Sequence, residues 1–485
     1  SAQVYNEFGS GSPDATAIRN FIRMCRDRSS KIKYVLLFGD GSYDNRNING
    51  VNRNFIPTFQ SENSLVPTSS FVSDDYYVIL DRGESVYNGL MDLGIGRLPV
   101  STPYEAGIVT KKIVNYYAPE SLGLWRSNLC FIGDDEDGNL HMADSEALAN
   151  QVNANHREFK TEKIYLDAWP QVTTPGGERY PGVTEAINQQ VKKGVLILNY
   201  VGHANTRFMA DERVLDVSGI NSWSNRNNLP IFVTATCEFS RFDADETSAG
   251  EYILLNPNGG GIGLFSTTRM AYAYSNYLLS RNFYQYVFEK DAHGDNFRMG
   301  DIMRFAKINT VNSINKRNFT LLADPALRLS YPKYRVVTRK INSKDSQTTP
   351  DTLKALSKVA ISGEITDHFG NKLTGFNGKL TAVVYDKPVT QKTLGNAGEN
   401  PFTYTLQNSI VYKGEATVSS GEFSFSFVVP KDISYSKGNG KILYYAENGR
   451  EDAHGAFENF FIGGSAGSQV QDITPPEVNL YLDDT

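Results

Sequence analysis

Val195-Leu-Ile-Leu-Asn-Tyr-Val-Gly-His203 and Ile231-Phe-Val-Thr-Ala-Thr-Cys237 are the two stretches whose reading decides the fold. Both are continuous apolar runs, the pattern of parallel strands buried on both faces beneath covering helices. The chain between them, Val214 to Asn225 with Trp223, fits one crossover, so the runs read as neighbouring parallel strands. In an open α/β sheet, loops converge over the carboxyl ends of the strands, and chemistry is placed there. A histidine stands just past the first run and a cysteine closes the second. Adjacent strands lie about 5 Å apart, so an imidazole and a thiol on neighbouring strand ends can approach hydrogen-bonding range.

A cysteine at a strand end is more often a small buried hydrophobe than a nucleophile. The neighbourhood of Cys237 argues otherwise, because Thr236-Cys-Glu-Phe-Ser240 leaves the strand into a polar, charged loop where the sheet meets solvent. Cys25 lies on an amphipathic helix and Cys130 in mid-strand, and both suit packing. His203 follows Gly202, which permits close backbone approach. His141, His156, His293, His368 and His454 fall on helices or turns without a strand-end setting. An imidazole beside a thiol draws its proton and holds the reactive thiolate. The thiolate then attacks a carbonyl, and the imidazolium protonates the leaving amine. The amides of Cys237 and Gly202 are the expected oxyanion donors. Asp92, just ahead of a short strand, is the candidate to fix the imidazole tautomer.

Working outward, strand and helix patterns alternate through the first two thirds of the chain. A helix is predicted over 13–25, a buried strand at Tyr34–Phe38, and a long loop excursion over 42–90. A strand at Leu93–Gly96 and a helix over 104–117 complete a first α/β subdomain, 1–120. Strands at Asn128–Ile132 and Lys163–Leu166, helices over 144–155 and 183–193, the two strands quoted above and a helical stretch over 276–315 make a second, 121–333. The whole reads as α/β with a largely parallel sheet. From about Val336 short alternating segments separated by Gly, Asn, Asp and Pro replace this texture. They predict an all-β, immunoglobulin-like sandwich of about seven strands over 334–470. A Gly/Ser linker is expected at 463–471. The tail, 471–485, resembles the start of a further domain cut short, and the chain reads as a fragment.

The 485 residues carry a net charge of −6 with no cluster of Lys or Arg, which argues against nucleic-acid binding. Three cysteines cannot build a disulfide framework. No uninterrupted apolar run is long enough for a transmembrane helix. Asp134-Asp-Glu-Asp-Gly-Asn139 offers carboxylates to a structural Ca²⁺ but lacks the spacing of a calcium loop, so a solvated acidic turn is expected and no cofactor is called for. Asp74-Asp75 and Asp243, Asp245 and Glu246 read the same way. Phe38-Gly-Asp-Gly41 and Gly259-Gly-Gly-Ile-Gly263 do not complete a dinucleotide fingerprint.

Five motifs in order carry a resemblance: Leu36-Leu-Phe-Gly-Asp-Gly-Ser-Tyr-Asp44, Gly94-Ile-Gly-Arg-Leu-Pro99, Asn199-Tyr-Val-Gly-His203, Thr234-Ala-Thr-Cys-Glu-Phe-Ser-Arg-Phe-Asp243 and Ala323-Asp-Pro-Ala-Leu-Arg-Leu329. The chain resembles the gingipain-type cysteine peptidases over residues 1 to about 330. More narrowly, it is similar to the C-terminal signal peptidase and sortase branch that serves type IX secretion. The resemblance implies a caspase-like fold of two α/β subdomains followed by an immunoglobulin-like domain. It places the catalytic histidine at His203, the nucleophile at Cys237 and the orienting acid at Asp92, where gingipains have Glu. It puts an aromatic pocket wall at Tyr272, where gingipains have Trp, with Glu238 and Arg269 as accompanying substrate-binding candidates. Ala204-Asn205 replaces the Gly that follows the gingipain histidine. The acidic floor behind gingipain specificity for Arg or Lys is not placed in this sequence. The resemblance implies an exported protein, at the outer-membrane surface or in the periplasm. Its partners would be substrates bearing C-terminal sorting domains, a lipopolysaccharide amine as acyl acceptor and other secretion proteins. The rival readings are a catalytically silent scaffold of a surface complex and a general secreted cysteine protease.

Overall fold

Two sheets frame the first part of the protein in this computed structural model, which describes residues 2–466 apart from positions 52, 64, 311–313, 347, 349 and 397. The expected start of a further domain at 471–485 lies outside the described residues. Strands β1 (Tyr34–Phe38) and β2 (Gly94–Leu98) pair in parallel, Tyr34 opposite Gly94. Strands β3 (Asn128–Gly133), β4 (Lys160–Tyr165), β5 (Ile197–Val201), β6 (Ile231–Ala235), β7 (Gly263–Thr267) and β8 (Phe319–Leu322) form a second sheet in the order β8-β7-β6-β5-β3-β4. All its pairings are parallel except β8 on β7, which is antiparallel.

The continuous apolar runs are explained by this sheet having a core on each face. Ile197, Ile231, Val233 and Phe265 point to one layer, with Leu279 and Phe283 of the helix Ala273–Tyr286 and Ile302 and Met303 of the helix Met299–Asn309. Leu198, Tyr200, Phe232 and Leu264 point to the other, with Val183, Ile187 and Val191 of the helix Pro181–Lys193 and Ile253 of the helix Ala249–Leu255. Capping fixes where the helices begin. Asp14 accepts the Thr16 amide ahead of the helix Ala15–Arg28, and Thr102 with Glu105 forms a capping box before Pro103–Asn115.

The long stretch over 42–90 carries little regular structure, yet buried ion pairs pin it. Arg97, fully buried, donates to both oxygens of Asp74 at 2.9 and 2.7 Å and to the Gly39 carbonyl. Asp75 is flanked by Lys307 at 2.6 Å and Arg317 at 2.8 Å. These two aspartates are therefore not the solvated turn expected of them.

Contacts divide the described residues into two units, one within 1–332 with 390–404 and 449–451, the other within 333–389 with 405–448 and 452–466. The second is all-β. Its ladder runs Tyr334–Ile341, Lys358–Thr366, Glu422–Val428, Ile410–Ser419, Gly378–Tyr385, Lys441–Glu447, Asp452–Phe457, and a short parallel pairing of Tyr334 with Ala453 closes it. Gly463 to Ser465, expected as linker, continue the strand Phe460–Ser465. Residues 390–404 depart from the expected boundary because Asp167, buried in the first unit, accepts the amides of Gly395 and Asn396 at 2.7 Å each.

Candidate active site

Strands β5 and β6 end in register, Val201 opposite Ala235, and the Gly202 amide donates to the Ala235 carbonyl at 3.3 Å. His203 and Cys237 each stand two residues beyond these paired ends. The turn that holds His203 is built from β3. Gly133 pairs with Val201, and the buried Asp134 that follows accepts the His203 amide at 2.7 Å. The Tyr200 hydroxyl donates to the His203 carbonyl at 2.6 Å. Gly202 is required there, since a Cβ would fall 2.2 Å from that of Asp134.

The His203 ring is about half exposed, and its Nε2 lies 3.1 Å from Asp137 Oδ2. The same oxygen lies 3.2 Å from His141 Nε2, at ion-pair distance but without hydrogen-bond geometry. The two imidazoles meet edge to face with centroids 5.1 Å apart. His141 is 5 % exposed, and neither of its ring nitrogens has a hydrogen-bond partner among the described residues. Burial, then the neighbouring His203, pushes the His141 pKa down.

Beneath this pair sits a buried acidic group, with oxygens of Asp134, Glu136 and Glu212 within 4.8 Å of one another. Burial pushes the Asp134 carboxyl up to about 7, against the pull of the His203 amide. Burial and then the Asp134 charge push Glu136 up to about 8, and burial pushes Glu212 up to about 7. Burial and mutual crowding hold all three carboxyls above the ordinary carboxylate range. The expected solvated turn at 134–139 is therefore corrected: Asp134 is 0 % and Asp135 3 % exposed, and the Tyr180 hydroxyl donates to Asp135.

Cys237 is half-buried. Its Sγ accepts the Ala271 amide at 3.4 Å and lies 3.6 Å from the Ala271 carbonyl. Burial pushes the thiol up, the Ala271 amide opposes this, and the Glu238 charge adds to it. The chain turns sharply after the thiol, with Glu238 at φ +52°, a left-handed conformation that costs a non-glycine residue about 1 kcal/mol. Among the described residues no hydrogen bond joins the His203 ring to Cys237: the thiol is turned to Ala271 and the imidazole to Asp137.

Several expected roles do not fit. Asp92 does not orient His203, because its oxygens accept the Leu80 amide at 2.7 Å and Arg26 at 2.5 Å. It precedes β2, whose far end bears Arg97 stacked on Phe242 of the post-Cys237 loop, about 17 Å further along the strand. The Gly202 amide is occupied by Ala235 and is not a free oxyanion donor. Arg269 is 6 % exposed and clamps Asp243 through both terminal nitrogens, so it supports the site instead of meeting substrate. Glu238 pairs with Arg241 at 3.1 Å. Tyr272 is 56 % exposed at the start of the helix Ala273–Tyr286 and remains available to a ligand.

The sequence reading missed Asp137 and His141. Their spacing along the chain, one helical turn, was a readable signal, but their proximity to His203 depends on β3 lying beside β5, which the linear order does not reveal.

A family model for peptidase family C25 matches residues 1–330. The crystal structure of the Arg-specific cysteine proteinase gingipain R superposes with a TM-score of 0.53 at 14 % identity, covering 94 % of this chain and 90 % of that one. A complex of Porphyromonas gingivalis RgpB pro- and mature domains gives 0.54 at 16 % identity, over 93 % of this chain and 92 % of that one. Dimeric latent PorU from Porphyromonas gingivalis is 25 % identical over 100 % of this chain and 42 % of its own, with a TM-score of 0.41. No curated protein matches the chain. The gingipain structures share the fold of this chain.

Proposed function

The chain belongs to peptidase family C25 and is a gingipain-family cysteine peptidase, and we propose that Cys237 is its nucleophile and His203 its general base. The observation that carries this reading is the register of β5 and β6, which delivers the two residues to adjacent strand ends. The ring and the thiol share no hydrogen bond at rest among the described residues, as is common before substrate draws a catalytic pair together. With one ring nitrogen kept on Asp137 and the other brought to the thiol, the imidazole takes the thiol proton and the thiolate attacks the peptide carbonyl. The Cys237 amide, beyond the last laddered residue of β6, is the donor left for the oxyanion. The imidazolium then protonates the departing amine, leaving a thioester for water or a second amine to open. Asp137 carries the orienting role first given to Asp92.

The substrate reading rests on the five motifs. On it the enzyme cleaves C-terminal sorting domains from exported proteins at the cell surface and passes the acyl group to a lipopolysaccharide amine. A bound amine outcompetes water because it is held in position. Among the described residues no helix is long and apolar enough to cross a membrane. The test is cleavage of a sorting-domain substrate by the Cys237→Ala chain: loss of cleavage with unchanged folding is expected, and undiminished cleavage would refute the assignment. A silent scaffold is favoured by one observation, the disengagement of thiol and imidazole. Stoichiometric labelling of Cys237 by a thiol-reactive peptide separates the two, because an inert thiol resists.

A further inference from the structure

Asp137, His141 and His203 offer one oxygen and two nitrogens within 4.8 Å of one another. Zinc holds His and carboxylate ligands at about 2.0–2.1 Å, so two ligand atoms of a tetrahedral shell stand about 3.3 Å apart. Asp137 Oδ2 lies 3.1 Å from His203 Nε2 and 3.2 Å from His141 Nε2, close to that spacing before any side chain moves. His141 supplies an independent sign. Its ring is nine-tenths buried against this cluster, and both nitrogens lack hydrogen-bond partners among the described residues, an arrangement that costs free energy unless something completes it. Asp137 and His203 are half-exposed, so an ion can enter from solvent without opening the core.

We propose that Asp137, His141 and His203 form a binding site for a divalent transition ion, Zn²⁺ above others, that holds the His203 imidazole away from Cys237. Two imidazoles and a carboxylate are donors that suit Zn²⁺, whereas Ca²⁺ takes oxygen alone. Three protein ligands leave a fourth position for water. The ion binds neutral imidazole, so each Nε2 gives up any proton it holds. A nitrogen lone pair committed to the metal cannot accept the Cys237 proton, so occupancy blocks thiolate formation. That consequence rests on the peptidase reading; the site itself does not.

The test titrates Zn²⁺ alone into the full Cys237→Ala chain in metal-free buffer by calorimetry. One ion per chain is expected, with at least tenfold weaker binding for His141→Ala and for Asp137→Asn in the same background, and no heat from Ca²⁺. The exposed Asp137→Asn keeps the test decisive if His141→Ala fails to fold. Equal Zn²⁺ affinity in the foldable variants, or no binding, would overturn the site and leave the peptidase assignment standing. Zn²⁺ should also inhibit cleavage by the native chain with a constant near the calorimetric one. Tight binding without inhibition would overturn the blocking role.

Discussion

Asp137 presents a single carboxylate oxygen to two imidazoles, and that sharing makes it the residue on which the orientation of His203 depends. Replacing it by Asn keeps the shape and removes the charge that steadies an imidazolium. The Asp137→Asn chain should therefore lose about 10²-fold in kcat, the range of positioned acid–base assistance, with KM little changed. A KM increase at constant kcat would assign Asp137 to substrate binding instead. At this scale Cys237 and His203 stood out as candidates because each follows a strand end, a setting that no other cysteine or histidine shares. Asp137 was not legible as a partner, since its contact with His203 crosses from one strand end to another. Asp92 misled because a carboxylate ahead of β2 resembles an orienting acid until Arg26 is seen to hold it.

The segment after β3, 134–139, illustrates what element-level reading conceals. Four acidic residues in six positions look solvated, but the loop folds inward over the end of β5 because Asp134 caps the His203 turn. The cost shows in the carboxyls. Glu136 is raised to about 8 in the folded chain, so the folded state keeps a proton that the unfolded state releases near the ordinary Glu range. Its contribution is fully present at acid pH and is lost as pH rises through about 8. Glu136→Gln should flatten that dependence, stabilising the protein relative to the native chain by about 1 kcal/mol at pH 9 after allowance for its partial exposure, and hardly at all at pH 4. Urea unfolding at the two pH values reads this directly; a gain equal at both would mean the carboxyl is not perturbed. Strand positions were largely legible from apolar runs. The antiparallel β8 was missed because its four residues carry too little pattern to separate from the preceding helical stretch.

For the whole molecule, the change of texture near Val336 marked the passage from α/β to all-β, because strand alternation and turn chemistry are local signals. The return of residues 390–404 to the first unit was illegible, since its contacts, the buried Asp167 carboxylate among them, come from more than 200 positions away in the chain. Asp167→Ala strips the partners from two amides, a loss of about 2 kcal/mol or more. Limited proteolysis should then cut within 390–404 well before the native chain is touched. Equal resistance would show that the ring contacts of Tyr165 with Phe402 and Tyr404 suffice.

The most direct measurement is the rate of Cys237 alkylation by a peptidyl chloromethyl ketone, which fills the cleft as substrate does, across pH, for the native chain and for His203→Ala. A sulfur that shares its proton with a neighbouring ring must react appreciably below the ordinary thiol range, and that acidic limb must vanish when the ring is removed. Two superimposable profiles, both rising only in the alkaline range, would contradict the pairing on which the enzyme assignment stands.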